Sequence, residues 1–162
     1  MDLGLGTWKL DPISISRANR SHPINQSPRH SLLGILLMSP VFVWYSLHDL
    51  PVTPINPTST SITALKKEFP TLPNLSALPN PKETSVSIIT PPAATLKVLQ
   101  EAKELGIPAV WMQPGTFDSE VMKFARAEGA FQAVVGGDGG RGNEGWCVLV
   151  DGERALKGAG KL

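Results

Sequence analysis

IPAVWMQPGTFDSEV, Ile107–Val121, sets an apolar run, a Gln-Pro-Gly corner and an acidic helix start side by side. IPAVWMQ does not alternate apolar with polar residues, so a strand made from it has both faces covered, as in a parallel sheet flanked by helices. The clearest helix in the chain lies just before it. In AATLKVLQEAKELG (93–106), Val98, Ala102 and Leu105 share a face with Leu99 beside them, while Lys97, Glu101, Lys103 and Glu104 point away. Gly106 supplies the left-handed residue that ends such a helix. DSEVMKFARAEG (118–129) repeats the grammar, with Asp118 or Thr116 as cap, acids in the first turn and Gly129 at the end.

Outward from this unit, SVSIIT (85–90), LPVTPINP (50–57), FQAVV (131–135) and WCVLVDG (146–152) have strand character, and ERALKGA (153–159) is a short final helix. SITALKKEF (61–69) reads as a short amphipathic helix opening on Ser61, and TLPNLSALPNPKE (71–83) as loop with at most one helical turn. Strands alternating with helices of this length imply βαβ units with right-handed crossovers. The fold class is therefore α/β: a Rossmann-like, three-layer fold with a mainly parallel sheet.

At 162 residues the chain suits one domain with a real core. Its apolar fraction of 41%, charged fraction of 18% and net charge of +1 fit a globular protein and argue against nucleic-acid binding. Cys147 is the only cysteine, so neither an internal disulfide nor a cysteine-built zinc site is available. Nothing demands an oxidising compartment, and the cytoplasm is the default. Arg17, Arg20 and Arg29 among serines leave a mitochondrial leader as the alternative, although the composition of the first 30 residues fits disorder better. SLLGILLMSPVFVWYSL (31–47) carries no charge. It is short of the ~20 residues a membrane span needs and is broken by Pro40, so a buried strand or helix is favoured.

In an open parallel sheet, ligands sit beyond the carboxyl ends of the strands. Those ends are Asn56-Pro57, Thr90-Pro91-Pro92, Gln113-Pro114-Gly115 and the glycine run after Val135. Rigid proline turns can line an apolar groove, with Asn56, Thr90 and Gln113 as polar contacts, and the helix start after Pro92 offers positive partial charge to a phosphate. A simple exit from the sheet explains the same turns equally well. GDGGRG (137–142) matches G-x-G-x-x-G, but with WCVLV read as a strand it joins strand to strand, which a dinucleotide fingerprint does not. Cys147 inside that strand reads as a buried, inert thiol. His22, His30 and His48 have no metal-binding spacing, and no triad, carboxylate pair or Walker lysine is present. No catalytic residue and no metal site is assigned.

SVSIITPPAATLKVLQEAKELGIPAVWMQPGTFDSEV, together with LPVTPINP and GWCVLVDGERAL, resembles the small CoA-binding-domain proteins, especially fungal members. These are similar to the CoA-binding N-terminal domain of the succinyl-CoA synthetase α subunit. The resemblance runs from about Val41 to Leu162, so residues 39–162 are expected to form the domain and 1–38 a non-family, disordered segment. It implies a Rossmann-like fold of the NAD(P)-binding kind, holding coenzyme A or another nucleotide. The adenine or ribose would lie near Asn56 and Pro57, the pyrophosphate and pantetheine along Thr90, Pro91 and Pro92, with Gln113, Pro114 and Gly115 beside the pantetheine arm.

One departure is large. SPVF (39–42) resembles the start of the family's first strand and runs directly into VWYSLHDL (43–50), which resembles the end of its first helix. The glycine-rich phosphate loop between them is missing, and residues from Leu32–Val43 are the candidates to replace the strand. The function expected is a CoA- or nucleotide-binding module without catalytic residues, its binding impaired by the lost loop. The alternatives are a subunit of a CoA-dependent enzyme and a scaffold tethered to a membrane through 31–47.

Overall fold

The computed structural model describes residues 4–6, 31–34, 40–142 and 144–162. In chain order its elements are β1 (Gly4–Gly6), β2 (Ser31–Gly34), α1 (Pro40–Leu47), β3 (Pro54–Ile55), β4 (Ser61–Ala64), β5 (Lys67–Pro70), β6 (Ser85–Ile88), α2 (Pro92–Glu104), β7 (Ala109–Met112), α3 (Ser119–Ala125), β8 (Ala133–Val135) and α4 (Val148–Gly158). Strands β6, β7 and β8 run parallel, in the register Ser85↔Ala109↔Ala133. Every residue of β6 and β7 is buried; β7 accordingly does not alternate in sequence, whereas β6 alternates buried serines with Val86 and Ile88.

The sheet has six strands in the order β3-β2-β1-β6-β7-β8, and helices cover both faces. Val86, Ile88, Val110 and Met112 pack on one side against Val98, Leu99 and Ala102 of α2 and Val121 and Ala125 of α3. Trp111 and Val135 pack on the other with Phe42 and Tyr45 of α1 and Val148 and Leu156 of α4. The architecture is the expected α/β three-layer fold. Asp118 caps α3 by accepting from the Val121 N–H at 2.9 Å, as its position predicts.

The start of the sheet differs from expectation. SPVF is not a strand: Pro40 opens α1, where a proline's missing N–H is no loss. The strand lies upstream, as β2, parallel to β3 (Leu32↔Pro54, Leu33↔Ile55) and touching β6 at Ser31↔Val86. Toward the carboxyl ends β1 lies between β2 and β6, antiparallel to both through Leu5↔Leu33 and Leu5↔Ile88. Two described stretches of the 1–38 segment thus belong to the sheet, and the rest of that segment lies outside the described residues. The uncharged stretch 31–47 is divided between β2 and α1, and no helix among the described residues is long and apolar enough to cross a membrane.

Two further elements correct the sequence reading. SITALKKEF is a β-hairpin, β4 pairing with β5 through Ile62↔Phe69, not a helix. Its two-residue turn places Leu65 (φ 51°) and Lys66 (φ 61°) in the left-handed region. The Phe69 ring meets Phe42 edge-on at 4.8 Å, so core packing overrides the turn's poor residues. WCVLVDG is not a strand either, because α4 begins at Val148. Val148, Asp151, Gly152 and Leu156 form its buried face, spaced as on a helix. An acid and a glycine inside that face hide the apolar pattern.

Candidate functional site

The strand order reverses between β2 and β6, and the crevice of such a sheet lies beyond the carboxyl ends at this point. Three proline turns border it: Asn56-Pro57 after β3, Thr90-Pro91-Pro92 after β6 and Gln113-Pro114-Gly115 after β7. The last two are neighbours, since the Gln113 N–H donates to Ile88 O at 3.0 Å. Asn56 lies across β2 and β1.

Asn56 is almost fully buried. Its N–H donates to Leu72 O at 2.7 Å. Its Oδ1 accepts from the Thr58 N–H at 2.8 Å, the Thr58 hydroxyl at 3.1 Å and the Ser59 N–H at 3.1 Å, forming an Asx turn. Those donors fix which side-chain atom is oxygen. The opposite atom, Nδ2, is buried and has no partner among the described residues. An unmet buried donor costs about 1–3 kcal/mol, so this atom points to an acceptor supplied from elsewhere.

The turn after β6 offers less to a phosphate than its position promises. The Thr95 hydroxyl donates to Thr90 O at 2.9 Å, which makes Thr90 the donor in the 2.5 Å contact between the two hydroxyls. The Ala94 and Thr95 N–H groups both return to Pro91 O at 2.9 Å. Pro92, first residue of α2, has no N–H to give. Ala93 is the first-turn amide not returned to Pro91.

Gln113 and Thr116 close a turn, with the Thr116 N–H and hydroxyl on Gln113 O at 3.2 and 2.7 Å. Pro114 takes its second position and Gly115, at φ +83°, its third, the arrangement that demands glycine. A Cβ at Gly115 would meet nothing within 4 Å, so the corner faces open space. The Gln113 side chain does not: it is buried, donates from Nε2 to Ser87 Oγ at 3.1 Å, and accepts at Oε1 from the Val148 N–H at 2.9 Å.

The glycine run after β8 leads into a helix, α4, rather than into the strand expected. Asp151, which sequence reasoning missed, lies beneath it, 2% exposed. Its carboxylate accepts from the Arg141 N–H at 3.1 Å and the Cys147 N–H at 3.2 Å. A Cβ on Gly140 would fall 2.7 Å from Asp151 Oδ2. The loop amides are thus aimed at a carboxylate of the protein itself, which opposes a phosphate there. Cys147 is the half-buried N-cap of α4, not a strand residue. Among the described residues no group of three or more His, Cys, Asp or Glu could hold a metal ion.

Two other buried polar residues border the site without a signal in the sequence. Ser87 is fully buried in β6, and Tyr45 fully buried in α1. Burial pushes the Tyr45 hydroxyl well above its ordinary pKa; its hydrogen bond with Ser87 works the other way, and the Cys147 thiol adds to the rise. On the same face, the Trp111 indole N–H donates to Trp146 O at 2.9 Å and helps hold the segment leading into α4.

The phosphate end of the crevice differs from the wall. Residues 35–39, which join β2 to α1, contain no glycine, and β1 lies between β2 and β6. A protein-family model described as a CoA binding domain matches residues 39–138. No curated protein and no solved structure gives a match.

Proposed function

Because this chain belongs to the CoA-binding-domain family, we propose that the domain, its sheet completed by β1 and β2, acts as a module that holds coenzyme A along the carboxyl ends of β3, β6 and β7, with no chemical step of its own. The observation that carries this is Asn56 Nδ2, a buried donor left unpaired in an otherwise satisfied turn. It suits an acceptor oxygen or nitrogen on the nucleoside end of the ligand. Three strand spacings of ~4.8 Å separate β3 from β6, so Asn56 and the Thr90 turn stand about 14 Å apart, a span suited to an extended nucleotide carrying a long arm. Gly115 leaves the far wall open for that arm.

Few groups are placed to anchor the phosphates. A pyrophosphate is ordinarily held by backbone N–H groups of a glycine loop at a helix start. Here residues 35–39, between β2 and α1, include no glycine, and Pro92 and Pro91 consume most of the donors at the start of α2. Affinity then rests on the nucleoside and pantetheine contacts. A dissociation constant of order 0.1–1 mM is expected.

The test is calorimetric titration with CoA together with thermal unfolding. CoA at ten times its dissociation constant stabilises the fold by ~1.4 kcal/mol, a rise in Tm of about 3–6 °C for a chain of this size. Asn56→Asp keeps Oδ1 and replaces the free donor with an acceptor, and should weaken binding at least about tenfold. A folded protein with no heat and no shift in Tm at millimolar CoA would refute the proposal.

A further inference from the structure

Gln113 stands where a ligand contact was expected, yet both ends of its carboxamide are engaged inside the protein. Nε2 reaches Ser87 in the middle of β6, and Oε1 takes the N–H of Val148, first residue of α4. Ser87 in turn lies beside the buried hydroxyl of Tyr45 in α1. The hydrogen bonds therefore cross two strands and tie them to α4, beside α1 in the same layer. Val148 N–H is one of the donors that every helix leaves unsatisfied at its start. Cys147, the N-cap, makes no side-chain cap. Gln113 caps α4 from another element. Phe42, Trp111 and Val148 are buried around these bonds, so water cannot readily replace a lost member.

Resting on the CoA-binding reading of the groove, we infer that Gln113 is a positioning residue rather than a ligand contact: through Ser87 and Val148 it fixes the Pro114-Gly115 corner and the first turn of α4. Its backbone carbonyl holds the corner by taking both Thr116 donors, while its carboxamide points inward. Ser87, which is 0% exposed and beyond the reach of any ligand, then controls affinity.

The test compares wild type, Ser87→Ala, the volume-conserving Gln113→Met and the double variant by calorimetric titration with CoA. Ser87→Ala should weaken binding about 3–10-fold and Gln113→Met about tenfold, with the double variant no weaker than Gln113→Met. Leu99→Ala, in the opposite layer, is the control: it lowers Tm and leaves affinity for CoA unchanged. An unchanged dissociation constant in Ser87→Ala, or effects that multiply, would overturn the inference. A ligand-free measurement separates it from the CoA reading. Hydrogen exchange at the Val148 amide should be protected in wild type and accelerate at least about tenfold in Gln113→Met, relative to Val110. Should wild type fail to bind CoA, the functional proposal falls, and Val148 exchange alone decides whether Gln113 holds α4; unchanged protection would show that it does not.

Discussion

Asp151→Ala removes the carboxylate on which the glycine run and the start of α4 converge. It accepts one N–H from Arg141 at 3.1 Å and one from Cys147 at 3.2 Å, and is 2% exposed. A hydrogen bond to a charged group contributes ~1.5–3 kcal/mol. Arg141 is exposed, so its freed N–H can turn to water and that bond counts for about half. Cys147 is half-buried and keeps more of its penalty. The expected loss is about 3 kcal/mol, or ~6–12 °C in Tm. Asp151→Asn, which keeps one acceptor, should lose about half as much. The exposed neighbour Glu153→Ala should stay within ~0.5 kcal/mol of wild type. Urea unfolding followed by tryptophan fluorescence measures all three, and amide exchange should quicken at Arg141 and Cys147 in Asp151→Ala. If Asp151→Ala lies within ~0.5 kcal/mol of wild type, the carboxylate does not organise this loop.

Tyr45 is the chain's single tyrosine, and its pKa is raised by burial. The folded state then binds more protons than the unfolded one above pH ~10, so stability falls as pH rises there, by up to ~1.4 kcal/mol per unit from this group. Phenolate absorbance should appear only together with unfolding, and Tyr45→Phe should flatten the alkaline slope; phenolate in a protein with native tryptophan emission would contradict this. Gly152→Ala places a Cβ 2.4 Å from Trp44 Cζ2, and the overpacking outweighs the gain in helix propensity, for a net loss of ~1–2 kcal/mol in urea unfolding. A more stable variant would show that the two helices are not in contact there. Lys66→Gly discriminates hairpin from helix by sign: with φ at 61° it should stabilise by ~0.5–1 kcal/mol, whereas in a helix it would destabilise by about 1 kcal/mol.

The elements legible in sequence are those whose burial leaves a plain pattern. β7 is covered on both faces and reads as an unbroken apolar run, and β6 shows in its β-branched content before Pro91-Pro92. α2 buries Val98, Leu99 and Ala102 and exposes its charges. The second half of α4 was legible as ERALKGA, but its start was hidden because its core face there carries Asp151 and Gly152, one capping a loop and the other admitting Trp44. The hairpin was hidden because Leu65-Lys66 stands where Asn-Gly would announce a turn. β1 and β2 depend on which strands they join, and no local period expresses that. At the site, positions were legible and roles were not. Pro-Gly after β7 announced a turn, but only the fold shows that Gln113 reaches inward to Ser87 and Val148 while Asn56 keeps a donor free.

Contact of CoA with the turns after β3, β6 and β7 is read out residue by residue in an NMR titration of the isotope-labelled protein with CoA. Saturable shifts are expected in the Asn56 side-chain amide, the Ala93 N–H and the Gly115 N–H, with the β4–β5 hairpin unmoved. Shifts confined to the 137–145 loop, or none in the Asn56 side chain at saturation, would contradict contact at these turns.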